Sequence, residues 1–375
     1  MSFFKSLKGF LTYLKISKSN DKKKSVYIYS EGLNYRNYFI EVINCLNKKN
    51  IQVFYFTSDK KDLDSINENI KPIFIGKGLI RILFFTSLSC DFMLMTLTDL
   101  NNHELKRSLH CKKYAYIFHS LVSTHKTYNK NAFNNYDIIF SNGEYQKNEL
   151  LKLEEINISK KKKIYNTGYS YLEFLQKQKI NQKEIANNVL FAPSWSKFNE
   201  NLFEKHGYDL IKSIIKKRKI ILRPHPQSLI KSSKQIKLIE KKFLNNKNFL
   251  LNKNIFDLKP IFQSQILITD NGGMALEYAF ITKKPVIFID YKDKVHNKDF
   301  KKINLETLED NFRKKFGLVV QANQIENLND IIDHKVKDYE NFGKDIENFF
   351  KENKIEFKNS SNKIADIIEK ELNFK

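Results

Sequence analysis

Leu267-Ile268-Thr269-Asp270-Asn271-Gly272-Gly273-Met274-Ala275-Leu276-Glu277 carries the fold of this chain in eleven residues. An apolar run with the length of a buried strand ends in Thr269-Asp270. A Gly-Gly turn follows, and then a helix begins. A strand that runs through a glycine turn into a helix is the opening of a parallel α/β unit. The turn also has chemistry. Free N–H groups at a helix N-terminus, aligned with the helix dipole, favour an anion, and glycines let a phosphate approach the backbone closely. Thr269, Asp270, Asn271, Gly272 and Gly273 are therefore candidate phosphate-binding positions. Asp270 or Asn271 is also placed to cap the helix. Glu277, one turn in, is placed to accept from ribose hydroxyls.

The same rhythm extends in both directions. Upstream, Val189–Ala192, Ile220–Arg223 and Gln265–Thr269 read as strands. Asp209–Lys217 and Ser228–Phe243 read as the helices between them, and Met274–Ile281 with strand Pro285–Asp290 completes the unit. An earlier set repeats the pattern with strands Val26–Tyr29, Ile51–Thr57, Pro72–Ile75, Asp91–Thr96, Tyr114–His119 and Asp137–Ser141, and helices Tyr38–Leu46 and Glu144–Leu153. The expected architecture is α/β, with two Rossmann-like domains of mostly parallel sheet facing across a cleft. One domain spans residues 25–175 and would bind the acceptor. The other spans residues 189–330 and would bind the nucleotide donor. A polar segment from Gln176 to Asn188 reads as the linker, and residues 331–375 as a charged helical tail.

Residues 1–24 stand apart. Phe3, Phe4, Leu7, Phe10, Leu11 and Leu14 recur at helical spacing with Lys5, Lys8 and Lys15 between them, and Lys22–Lys24 follow. This pattern predicts a basic amphipathic helix suited to an anionic membrane surface. No uninterrupted run of about 18 apolar residues occurs, so no membrane-spanning helix is expected. In Leu79–Leu97 the apolar run is broken by Arg81 and Asp91 and reads as a buried helix followed by a buried strand. No secretory signal is evident.

The chain of 375 residues is 41% hydrophobic, enough for two cores, and its net charge of +23 calls for an anionic partner. Lysines lie along the whole chain and no nucleic-acid motif occurs, which leaves a basic nucleic-acid-binding protein as the weaker class. The three cysteines, Cys45, Cys90 and Cys111, form no CxxC pair. Neither a zinc site nor a disulfide framework is expected, and a reducing, cytoplasmic setting fits. No metal-binding cluster and no cofactor are anticipated.

Three further motifs sit just after apolar strands, where ligands bind in parallel sheets. Ile221-Leu222-Arg223-Pro224-His225-Pro226-Gln227 ends in a rigid proline turn that presents Arg223 and His225 to phosphate oxygens. Phe191-Ala192-Pro193-Ser194-Trp195-Ser196-Lys197 carries the single tryptophan, placed to stack on a base or sugar, with Ser194 and Lys197 within reach of phosphate. Tyr116-Ile117-Phe118-His119-Ser120-Leu121-Val122-Ser123-Thr124-His125-Lys126 ends a strand in a histidine that can take a proton from an attacking hydroxyl. Ser123, Thr124, His125 and Lys126 are candidates to hold an anionic acceptor.

Taken together, these segments resemble the CDP-glycerol glycerophosphotransferases of teichoic acid and capsule polysaccharide synthesis. Phe118-His119-Ser120-Leu121-Val122 occupies the place of that family's His-Gly-Thr-Pro-Leu-Lys segment. Ala192-Pro193-Ser194-Trp195 looks like its Ala-Pro-Thr-Trp, and Arg223-Pro224-His225-Pro226 is similar to its Arg/Lys-x-His-Pro. Thr269-Asp270-Asn271-Gly272-Gly273, followed by Glu277-Tyr278-Ala279, resembles its Ser-Asp-Tyr-Ser-Ser and Asp-Tyr-Ala. The resemblance implies a GT-B fold and the transfer of a polyol phosphate from a CDP-activated donor to a lipid-linked glycan on the inner face of the membrane. It makes His119 the base and adds His225 to the catalytic set. Gly272 and Gly273 replace the family's serine pair, and the family's Gly-Thr-Pro is missing after His119. The Asp-Asn-Gly-Gly turn also resembles the Asp-Ser-Gly-Gly of UDP-GlcNAc 2-epimerases. That keeps a GT-B glycosyltransferase or epimerase-like enzyme as an alternative, beside an inactive scaffold.

Overall fold

In a computed structural model, residues 2–19, 24–63, 70–179, 187–196, 200–335 and 342–373 are described. Thirteen strands among them form two sheets. β1 (Ser25–Ser30), β2 (Gln52–Thr57), β3 (Pro72–Phe74), β4 (Cys90–Met95), β5 (Cys111–Ile117), β6 (Ile138–Ser141) and β7 (Lys163–Asn166) form the first, in the order β3-β2-β1-β4-β5-β6-β7. β8 (Asn188–Phe191), β9 (Lys219–Leu222), β10 (Phe249–Leu251), β11 (Ile266–Thr269), β12 (Val286–Asp290) and β13 (Leu318–Gln321) form the second, in the order β10-β9-β8-β11-β12-β13. Every strand pair is parallel. The second sheet has the doubly wound order of a Rossmann unit, and the first has that order plus one strand.

The strands read from sequence are present with ends shifted by up to three residues. The strands that sequence reading missed, β7, β10 and β13, lie at sheet edges. Each has four residues or fewer and is only partly buried; Phe249-Leu250-Leu251 of β10 and Leu318-Val319-Val320 of β13 are apolar but too short to stand out as strands. The helix expected over Ser228–Phe243 is two helices, Pro226–Lys231 and Ser233–Phe243, broken where the Ser232 hydroxyl donates to Glu204. The helix expected over Asp209–Lys217 is Leu202–Ile214. It starts early because Glu204 accepts the N–H of Asn201, at the cap position. The segment read as linker begins with helix Ser170–Lys179, and residues 180–186 lie outside the described set.

The C-terminal tail divides between the two halves. Helix Phe342–Glu352 packs through Ile346, Phe349 and Phe350 on helix Gly273–Thr282, with the Phe280 and Phe350 rings 4.1 Å apart. Helix Ser360–Asn373 crosses back and buries Ile364, Ala365 and Ile368 in the core beneath β1, β4 and β6. At the other terminus, helix Ser2–Lys18 docks by Tyr13, whose ring lies 4.9 Å from Phe84 and whose hydroxyl donates to the Ser87 carbonyl at 2.6 Å. The Lys22–Lys23 part of the basic run lies outside the described residues. Helix Leu79–Ser87, expected to be buried, buries only Ile80, Phe84 and Phe85; Leu79 and Leu83 face outward.

Candidate functional site

The site lies where the C-terminal ends of the two sheets meet. β5 delivers His119 from one side. From the other, β9 leads to His225, β8 to Ser194 and Trp195, and β11 to Asp270 and the glycine turn. The opening between the halves is narrower than an open cleft. Leu121, Tyr169 and Leu172 of the first half share a continuous apolar core with Leu267, Ala275, Leu276 and Ala279 of the second. A Cβ on Gly273 would stand 2.5 Å from the Ser120 hydroxyl and 3.1 Å from the Leu121 nitrogen, so only glycine lets the two backbones approach this closely. The polar groups sit at the mouth of this seam.

His225 occupies the N-cap of helix Pro226–Lys231, where its Nδ1 accepts the Gln227 N–H at 3.1 Å. An acceptor Nδ1 leaves the ring proton on Nε2, so the neutral imidazole presents a donor. Trp195 stacks on this ring with 6.3 Å between centroids and an interplanar angle of 16°. Burial, then the charges of Lys294 and His119, push the imidazole down to about 3, which keeps it neutral at physiological pH.

His119 is walled by aromatic rings: Tyr35 at 5.2 Å, Tyr38 at 6.1 Å and Tyr128 at 6.3 Å, all edge-on. Its Nδ1 lies 3.4 Å from the Tyr116 hydroxyl. Burial and then the Lys294 charge lower it to about 4, against the pull of the Thr96 carbonyl. A neutral imidazole among tyrosines is free to accept a proton.

Helix Gly273–Thr282 begins with Gly272 as its N-cap, and no side chain caps it. The expected capping by Asp270 or Asn271 does not occur. Asp270 instead accepts the Ser194 N–H at 2.7 Å, which ties the Trp195 loop to the glycine turn. Asn271 donates to Asp293 at 3.0 Å and accepts from Arg313 at 3.2 Å. Glu277 accepts the Tyr169 hydroxyl at 2.8 Å, and burial raises its carboxyl to about 7, with the Tyr169 bond opposing.

Several expected site residues have other duties. Arg223 does not face an open anion site. Its guanidinium is buried and donates to the Asn252 side chain at 2.8 Å and to the carbonyls of Asn254, Ile255 and Asp257, the last at 2.7 Å. These bonds turn the guanidinium toward the loop after β10 and pin it there. Thr269 is buried, and its hydroxyl donates to the Ala192 carbonyl at 2.7 Å, joining β11 to β8.

Ser123, Thr124, His125 and Lys126 do not form an open acceptor loop either. All four are buried and clasp the two halves together. The Ser123 N–H donates to Glu309 at 2.9 Å and its hydroxyl accepts the Leu308 N–H at 2.7 Å. Thr124 donates twice to Glu149. His125 lies 3.2 Å from both the Leu305 carbonyl and Glu149. Lys126 pairs with Asp310 at 2.8 Å and Asp293 at 3.0 Å. Lys197 lies outside the described residues.

Sequence reasoning missed Lys294, Glu309 and Tyr169. Lys294 stands in the loop after β12, a strand end at which no motif was read. Glu309 and Tyr169 gave no local signal.

Two doubly wound parallel sheets with apposed C-terminal edges, joined by a helix that returns to the first half, define the GT-B architecture. Among solved structures with this fold, the chain superposes on the wall teichoic acid polymerase TagF soaked with CDPG, at TM-score 0.60 and 16% identity, covering 99% of this chain and 97% of that one. It also superposes on UDP-GlcNAc 2-epimerase from Neisseria meningitidis bound to UDP-GlcNAc, at TM-score 0.62 and 15% identity over 92% of this chain and 99% of that one. The Methanocaldococcus jannaschii UDP-GlcNAc 2-epimerase in complex with UDP-GlcNAc and UDP gives 0.57 and 14% over the same shares. No family model and no curated protein matches the sequence. At these identities the likeness is one of fold.

Proposed function

We propose that this protein is a transferase that takes a polyol phosphate from a CDP-activated donor and places it on a membrane-linked glycan. The observation that carries the reading is the convergence, from opposite sheets, of the neutral imidazoles of His119 and His225 beside an uncapped helix N-terminus. In this reading the donor pyrophosphate lies against the amides that follow Gly272 and accepts from His225 Nε2–H. Ser194 and Trp195 flank it, and Glu277 accepts from the ribose.

The acceptor hydroxyl loses its proton to His119. Its oxygen forms the new bond to the polyol-bearing phosphorus. The phosphoanhydride bond breaks, and the nucleotide leaves as a monophosphate with the bonding electron pair. Positioning and neutralisation of the developing charge supply most of the acceleration. The second reading, a UDP-sugar enzyme, is favoured by one feature: Gly272-Gly273 stands where the glycerophosphotransferase pattern has serines.

Thermal-shift screening with CDP-glycerol, CDP-ribitol, UDP-GlcNAc and GDP-sugars separates the two. Stabilisation by a CDP-polyol, with release of CMP once acceptor is added, supports the first; stabilisation by UDP-sugars alone supports the second. His119→Ala should reduce CMP release by about 10²–10⁴-fold. Unchanged turnover with an unchanged pH profile would remove His119 as the base.

A further inference from the structure

Lys294 stands on the loop that leaves β12, a segment the motif analysis did not reach. Its neighbours hold the loop at the junction of the two halves. Asp293 is gripped by Lys126 at 3.0 Å and by Asn271 at 3.0 Å. The His296 and Asn297 N–H groups donate to the Lys126 carbonyl at 3.0 and 3.3 Å. Lys294 rides between these two anchors and lines a small cavity with Val122, Asn271, Gly272 and Glu309, directly at the start of helix Gly273–Thr282.

The other cations near this cavity are spent: Lys126 on two carboxylates, and Arg313 on Asp290 and Asn271. Among the described residues the Lys294 ammonium takes no ion pair and no hydrogen bond; only its backbone N–H bonds, to Asp293. Asp270 and Glu309 attract it without pairing.

We propose that Lys294 is the phosphate-binding cation of this site, holding the phosphate that departs with the nucleotide. The inference rests on the donor-site reading above and adds a cation at the start of helix Gly273–Thr282, where Arg223 is turned instead to the loop after β10. Three features support it. The Lys294 side chain is only partly buried and its ammonium holds no carboxylate, so its charge is open to an anion. Lys294 and Gly272, the cap of the uncapped helix, line one cavity of about 10 Å³, which puts this lysine at the helix start. Its field also reaches His119 on one sheet and His225 on the other, which puts it between the base and the donor-side imidazole.

The test is calorimetric titration of the full chain and of Lys294→Ala and Lys294→Arg with CDP, UDP and inorganic pyrophosphate. Histidine-ring NMR titrations of the unliganded proteins run alongside. Lys294→Ala should weaken binding about ten- to a hundredfold, and Lys294→Arg should restore most of it. In Lys294→Ala both His119 and His225 should titrate at higher pH than in the parent, a change that does not depend on activity. Unchanged affinity together with unchanged imidazole titration in Lys294→Ala would overturn the inference and leave the donor site standing. If the parent binds none of the three ligands, the donor-site reading fails and takes Lys294 with it.

Discussion

Glu277 and the two site histidines titrate in opposite senses, and the difference is measurable. Burial lifts the Glu277 carboxyl from 4.5 to about 7. The folded state therefore holds its proton more tightly than the unfolded chain. The stabilisation is complete below 4.5 and is lost as pH rises to about 7. His119 and His225 are depressed from 6.5 to about 4 and about 3. Their contribution is complete above 6.5 and is lost as pH falls. Between pH 4.5 and 6.5 the two slopes oppose each other. Glu277→Gln keeps the Tyr169 hydrogen-bond acceptor and removes only the titration, so the melting temperature should then climb more steeply with pH across that window. A melting profile parallel to the parent's would show that Glu277 titrates normally. At this scale the sequence singled out His119, His225, Asp270 and Glu277 as candidates. It could not show that Arg223 and Lys126 would find partners inside the protein, because those partners lie 29 to 184 positions away in the chain.

Elements meet in this fold through a few backbone contacts of no tolerance. Gly168, after edge strand β7, has φ +87, and a Cβ there would lie 2.3 Å from the Glu356 carbonyl. The next N–H, of Tyr169, donates to that same carbonyl at 2.9 Å, which fastens the segment before helix Ser360–Asn373 to the first half. Gly168→Ala should therefore destabilise by about 1–3 kcal/mol from backbone strain alone, with the displaced carbonyl adding to it. Urea unfolding measures this; a loss within error of zero would mean that the contact yields freely. The central strands were legible because burial on both faces demands continuous apolar runs. The edge strands β7, β10 and β13 were not, because each is only three or four residues long and mostly exposed or half-buried.

At the scale of the whole molecule, helix Ser2–Lys18 and helix Leu79–Ser87 are in contact and both expose apolar side chains. Helix Ser2–Lys18 contains no acidic residue and exposes Phe3, Phe4 and Leu11 among its lysines. Helix Leu79–Ser87, docked against it through Tyr13, adds Leu79 and Leu83. No helix among the described residues is long and apolar enough to cross a membrane. We propose that this pair of helices contacts the surface of an anionic bilayer, where each lysine would add about 1 kcal/mol. The chain should co-sediment with phosphatidylglycerol vesicles and not with phosphatidylcholine vesicles. Phe4→Ser with Leu79→Ser should weaken that association without lowering the melting temperature, because both side chains already face solvent. Equal sedimentation with both lipids, or none with either, would dismiss the membrane face.

By itself the sequence determined the alternation of strand and helix, the parallel sheets, and which strand ends carry histidine, aspartate and glycine. Those properties follow from local periodicity and from the short-range geometry of turns. The tertiary structure alone decided which polar side chains were consumed by packing and which were left over. Arg223 and the Ser123–Lys126 loop became internal fastenings because burial compels every polar group to find a partner. Lys294 stayed unpaired at the junction while the carboxylates that attract it, Asp270 and Glu309, accept the Ser194 and Ser123 N–H groups.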